Sequence, residues 1–318
     1  MSKPNKPSVV LALLLATAGS ANADTIRLAG FIDQDTVWTA GNTYIIAQDV
    51  LVQPGVTLTV EDNATVLIQN GLIPFSPYSP SLRATLIFKT GSRLIANHLT
   101  VSACDALGQV IDKAENGGIV FMGRYRKATK GGLTNDIFQL PSSFEAASIT
   151  THYLGSEDKY IYPIRPSRPV YEVDDWDAYS FMGVGDDEWK IPVVRSDHSG
   201  QNGIDALNSF LRVNELEVLE SVEDGVNLTS TQMQVASSLT VITPLPIAWD
   251  VNLFDFESDF GFSWLKIDSG ASVRLFGIFG DQLWLDSPDM PPPPIVDDRY
   301  IYECCNQPLT APASIVRF

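Results

Sequence analysis

The chain is poor in basic residues, in histidine and in cysteine. Lysine and arginine number 21 against 38 aspartates and glutamates in 318 residues, a formal charge of −17. Such a surface repels nucleic-acid phosphates and anionic lipid, so no nucleic-acid partner is expected. The three histidines, His98, His152 and His198, show no ligand spacing along a helix or across a hairpin. The cysteines are spaced wrongly for a zinc site. Long apolar runs are also missing. The longest, Val9–Ala16, falls well short of the roughly 20 residues that cross a bilayer, so no transmembrane segment is expected. Apolar residues are nevertheless plentiful, at 45% hydrophobic and 10% aromatic. That is ample for a packed core and excludes global disorder.

Lys3 and Lys6, the apolar run, and then Ala21-Asn22-Ala23 have the order of a secretory leader, predicted over residues 1–23. The mature chain then starts near Asp24, two lysines fewer, at −19. The expected location is secreted, periplasmic or on the outer cell surface. Such compartments permit disulfides. Adjacent cysteines pair poorly with each other, so the expected bridge joins Cys104 to Cys304 or Cys305 and leaves one thiol over. The opposing reading makes Cys104 a buried inward residue of its own strand.

Four stretches of the C-terminal half restate one pattern about 22 residues apart. They begin at Gly203, Gly225, Ile247 and Gly270. Leu216–Leu219, Leu239–Ile242 and Trp264–Ile267 recur within them as short apolar runs. No helical spacing of apolar positions accompanies the repeat. Short strands separated by turns, stacked coil on coil around a continuous core, satisfy this pattern. The predicted class is all-β, a right-handed parallel β-helix, with Val226, Leu228, Val241, Leu265, Ile267, Val273 and Leu275 pointing inward. Residues 45–101 carry similar short runs punctuated by Pro54-Gly55, Asp62-Asn63 and Gly91-Ser92, and should pair in parallel rather than as hairpins.

The block Asp35-Thr36-Val37-Trp38-Thr39-Ala40-Gly41-Asn42-Thr43-Tyr44, followed by Val50 to Val60, resembles the opening of a family of bacterial secreted or cell-surface β-helix proteins. Leu86–Ala96, Gly117–Arg124, and Asp197–Gly200 with Phe210–Leu216 resemble later coils of that family in the same order. The resemblance implies fold and export. It carries no catalytic residue to this chain.

The resulting organisation is a leader over 1–23, an N-terminal cap and first coils over 24–124, and an irregular acidic and aromatic insertion over 125–196. C-terminal coils follow over 197–287, with a proline spacer and capping tail over 288–318. Within the insertion, Asp174, Asp175, Trp176 and Asp177 stand near Asp186, Asp187 and Trp189. Carboxylates and indoles in that density fit a solvated loop, an oxygen-ligand Ca²⁺ site, or a sugar platform. Asp205, Asp224 and Asp250 hold related repeat phases and could stack as the paired carboxylates of a glycosidase. Acids at coil corners more often accept backbone N–H bonds. The expected function is therefore non-enzymatic: a rigid exported surface for attachment, matrix assembly or ligand capture, with a glycan or a cell-surface or matrix component as partner. The alternative is a carbohydrate-active β-helix enzyme, a polysaccharide lyase or hydrolase.

Overall fold

The computed structural model describes residues 23–73, 83–124, 140–156, 177–242, 253–257, 263–268, 270–276, 283–285, 300–301 and 315–316. These residues are all-β, with no helix among them. The expected leader lies outside the described residues. No helix among the described residues is long and apolar enough to cross a membrane.

The strands form a largely parallel, solenoid-like sheet in which the chain visits three stacks in turn. The first half of Thr25–Ile32 lies against the first half of Thr43–Val52, and that in turn against Thr65–Gln69. This first stack continues through His98–Cys104, Ser148–His152 and Val193–Asp197. The second halves of Phe210–Leu219 and Gln232–Ile242 follow, then Ser272–Phe276 and Ile315–Val316. The second stack begins in the later halves of the first two long strands and continues through Leu86–Phe88, Ile119–Met122 and Tyr179–Met182. Ile204–Leu207, Val226–Thr229, Phe254–Glu257 and Leu283–Leu285 extend it. The third stack carries Thr36–Trp38, Thr57–Val60, Arg93–Ala96, Ser143–Glu145 and Trp189–Lys190. Its line passes on through the first halves of Phe210–Leu219 and Gln232–Ile242 to Trp264–Ile267.

Thr57–Val60 and Thr65–Gln69 pair with different coils and in parallel, as expected, rather than with each other. The antiparallel strand pairing described is Leu265–Lys266 with Tyr300–Ile301, in the region expected to cap the end.

Alternation fills the interior. Val226, Leu228, Val241, Leu265, Ile267 and Val273 are all buried in one core, as their positions in the repeat predict, and the side chain of Leu275 lies outside those described. In the second stack Phe88, Phe121 and Phe181 stand in register with ring centroids 5.1 and 5.6 Å apart, nearly parallel. Phe144 and Trp189 meet them edge-on from the third stack.

Two sequence expectations need correcting. The stretch 125–196, read as one insertion, also supplies Ser143–Glu145, Ser148–His152, Tyr179–Met182, Trp189–Lys190 and part of Val193–Asp197, which are regular strands of the stacks. The repeat phase also slips after Ile242. Val226 pairs with Phe254, 28 residues on, whereas the pattern placed a unit at Ile247. Trp264–Ile267 lies beside Gln232–Val235 in the third stack, while Leu239 pairs with Val273 in the first. Corner segments of unequal length shift the sequence count and leave the sheet register intact.

Candidate functional site

Of the acidic and aromatic residues singled out from sequence, the four described, Asp177, Asp186, Asp187 and Trp189, do not converge. Asp174, Asp175 and Trp176 lie outside the described residues. Asp177 is buried at a coil corner, where its carboxylate accepts the Asn202 N–H (3.3 Å) and the Ser180 hydroxyl (3.2 Å). Asn202 repeats the device one coil on, accepting the Asp224 N–H at 2.9 Å. Asp177 is thus a corner bracket, and Asp224 belongs to the same file. Trp189 is core, its indole perpendicular to Phe181 at 4.9 Å, so it offers no face to a sugar. Asp186 and Asp187 are exposed and lie near arginines, Arg212 at 3.6 Å and Arg124 at 2.5 Å.

Next to them Glu188 is fully buried, a role that its place in an acidic run conceals. Its carboxylate accepts the N–H groups of Arg124 (3.0 Å), Ser142 (2.9 Å) and Gly185 (3.0 Å). Burial raises its pKa above the ordinary 4.5, against the opposing pull of those three bonds. Arg124 and Ser142 flank the segment 125–139, so one carboxylate ties together the two ends from which that segment departs.

Cys104 is a buried thiol at which no disulfide is found. Cys304 and Cys305 lie outside the described residues. Nor is Cys104 an inward residue. Leu99, Val101 and Ala103 alternate into the core, and Cys104 joins Ile45 and Leu67 on the opposite face. The turn at 105–109 covers that face. Gly108 approaches so closely that a Cβ there would lie 2.5 Å from Ile45 Cδ1. Burial pushes the Cys104 pKa up to about 11, so the nucleophilic thiolate is scarce at neutral pH.

Two arrangements invisible in the sequence appear on the outer surface. At the corner leaving the first stack, Asp197 Oδ2 lies 3.0 Å from His152 Nδ1, and Oδ1 lies 2.7 Å from His198 Nδ1. Glu220 lies 2.6 Å from His198 Nε2, and the Tyr153 ring stacks on His198 with centroids 4.5 Å apart. Tyr153, His198 and Glu220 occupy the same corner of successive coils, all with positive φ (56°, 58° and 57°). Each donates its backbone N–H across to the next coil, to Asp197 O, Leu219 O and Ile242 O respectively. Left-handed backbone costs a non-glycine residue of order 1 kcal/mol. Among the described residues this file has no activated nucleophile beside it. Ser199 is buried, with its hydroxyl 2.5 Å from Asn202 O and 3.2 Å from Leu154 O. The pair His98 Nδ1 and Ser148 Oγ (2.8 Å) also lacks an orienting acid on the ring, since Asp62 accepts the His98 backbone N–H instead. Among the described residues no group of three His, Cys, Asp or Glu side chains is arranged to hold a metal ion.

The second arrangement is an open groove of about 410 Å³ on the outer surface where the third stack turns into the first. Lys190, Pro192, Arg212, Asn214, Gln234 and Ala236 line it, and among the described residues no carboxylate side chain does. The stacked acids lie elsewhere. Asp205 faces outward from the second stack in line with Asn227 and Asp255, two rungs away. Asp250, the partner expected from the repeat, lies outside the described residues.

Comparison with protein-family models, curated proteins and solved structures yields no significant match. The family resemblance in the opening block therefore has the solenoid-like fold as its support.

Proposed function

We propose that the chain is an exported, non-enzymatic right-handed parallel β-helix that presents a rigid outer face for attachment, matrix assembly or ligand capture. Three features support the β-helix over a closed barrel. Pairing advances in chain order through each stack. The strand Thr25–Ile32 is described as pairing only with the next coil. Tyr300–Ile301 and Ile315–Val316 lie on the far end, where a cap belongs. Export rests on the leader over 1–23.

The observation that carries the functional reading is that each carboxylate at the groove's edge is engaged by a groove residue, Glu145 by Lys190 (2.6 Å), Asp186 by Arg212 (3.6 Å) and Asp268 by Gln234 (2.8 Å), while the acids stacked in register lie elsewhere. A glycosidase needs two carboxylates flanking the bond to be cleaved. Here the groove holds a lysine, an arginine and amides, whereas Asp205 and Asp255 stand on another face. One observation favours the enzymatic alternative. The two aspartates are two rungs apart, about 9.5 Å between backbones, which falls at the upper limit for an inverting pair.

Screening the mature chain on a glycan array, while assaying polysaccharides for released reducing ends and unsaturated uronates, separates the two. Binding without product is expected. Product release abolished by Asp205→Asn would establish the hydrolase instead.

A further inference from the structure

We infer that the outer face of the third stack, next to the groove, is a binding site for a neutral polysaccharide chain. This inference rests on the ligand-presenting reading above.

Alternation places three residues of each of three successive coils on this face. Phe210, Arg212 and Asn214 come from one strand and Gln232, Gln234 and Ala236 from the next. Trp264, Lys266 and Asp268 come from the third. Register aligns Phe210 with Gln232 and Trp264, and Arg212 with Gln234 and Lys266. With rungs about 4.8 Å apart and two residues spanning about 6.6 Å of strand, the grid covers roughly 10 by 13 Å. That matches a short oligosaccharide.

Each column has a chemistry suited to a sugar. Phe210 and Trp264 are half-buried, with ring centroids 6.1 Å apart over Gln232. Trp264 offers apolar area to the C–H face of a pyranose at little entropic cost, with Phe210, covered on one side by Arg212, packed against it. The middle column carries Arg212, whose guanidinium sits 5.2 Å from the Phe210 ring, and Gln234, held by paired contacts to both Asp268 oxygens (2.8 and 2.9 Å). Fixed planar groups of this kind suit vicinal hydroxyls. The groove extends the same surface past Asn214.

Charge selects the ligand class. Each cation beside the grid already faces a carboxylate: Lys190 with Glu145 at 2.6 Å, Arg212 with Asp186 at 3.6 Å, Lys266 with Asp268 at 3.9 Å. The face is locally neutral on a chain of net charge −17. A polyuronate or sulfated chain finds no uncompensated positive field here and is repelled by the whole. A neutral glycan incurs no such penalty.

The test is calorimetric titration of the mature protein with cellohexaose, maltohexaose, xylohexaose and mannohexaose, and with hexagalacturonate as the anionic control. At least one neutral hexasaccharide should bind. Gln234→Ala and Trp264→Ala should each weaken that binding by about ten-fold or more, with far-ultraviolet circular dichroism unchanged. If Trp264→Ala does not fold, Arg212→Ala replaces it with the same expectation. Neutral binding unaffected by the variants would overturn the site and leave the ligand-presenting reading standing. Binding of hexagalacturonate alone, or of none of the five, would also overturn it. Cleavage of the oligosaccharides, read separately as new reducing ends, would overturn the reading beneath it.

Discussion

The middle coils and the later coils run the same sheet on different interiors. Between Leu86 and Lys190 the core is aromatic, with Phe88, Phe121 and Phe181 stacked and Phe144 and Trp189 set edge-on. From Ile204 to Ile242 the same rows hold Ala206, Leu228, Leu211 and Met233. Sequence spacing differs as sharply. Ile149 follows its partner Leu99 by 50 residues and Val194 follows Ile149 by 45, whereas Leu216 follows Val194 by 22. Corners differ too. In the later coils a file of hydroxyls holds them: Ser209 N donates to Thr231 Oγ1 and Thr231 N to Ser263 Oγ, each at 3.1 Å. In the middle coils Glu188 serves, gathering three N–H groups that include those flanking 125–139. Register is thus set by inward rows and by side chains that bridge coil to coil, and it survives large changes in the chain length between them.

Core truncation should give the largest effects and show whether the two interiors are equally tight. Phe121→Ala removes a ring packed against four aromatic partners in the middle coils, Phe88, Phe144, Phe181 and Trp189, and should cost about 3–5 kcal/mol. Leu265→Ala, in the aliphatic end, should cost about 2–5 kcal/mol. Chemical denaturation measures both. A cost below about 1 kcal/mol for Phe121→Ala would mean that the aromatic rows do not organise the middle coils. Next in size is the later corner file. Thr231→Val strips the acceptor from the buried Ser209 N–H and the donor to Ala206 O (2.6 Å), and should cost about 1–3 kcal/mol by the same measurement.

The smallest effect concerns the middle corner and depends on pH. Glu188 has its folded pKa raised above the ordinary 4.5, so the folded chain keeps this proton longer than the unfolded chain. Its contribution is fully present below the ordinary value and is lost as pH rises through the folded pKa. The stability of the native protein relative to Glu188→Gln should therefore be greatest below the ordinary carboxylate value of 4.5 and should shrink as pH rises above it. Denaturation at a series of pH values checks this. A margin that widens with pH would show that the three N–H bonds outweigh burial.

Where coils lack excursions, the sequence displayed them. The offset from Gly203 to Gly225 is the pairing offset of Ile204 and Val226, and the alternation in Leu239–Val241 and Leu265–Ile267 marks the buried side chains. Where a corner lengthens, counting fails. The unit expected at Ile247 is displaced to Phe254, and the regular strands between 143 and 197 were diluted by the stretches around them. The candidate sites were less legible for a related reason. Trp189 and Asp177 share an acidic, aromatic neighbourhood in sequence with Asp186 and Asp187, yet alternation and corner geometry turn the first two inward and the others out. His152 and His198 are 46 residues apart and meet around Asp197 only because Ser148–His152 and Val193–Asp197 lie side by side. The 210–268 grid needs the register of three coils before it exists at all.

The central claim is that the stacks advance along one axis as an open solenoid and do not close on themselves. Thr100, Thr150, Arg195, Glu217, Thr240 and Arg274 form one outward file in the first stack, each paired with the next. Spin labels on cysteines placed at Thr100 and Arg274, in a background with Cys104, Cys304 and Cys305 replaced, measure its length by double electron–electron resonance. Five rungs of about 4.8 Å predict a distance distribution centred near 24 Å, broadened by the label tethers. A distribution centred below about 15 Å would bring the two ends of the file together and contradict the solenoid.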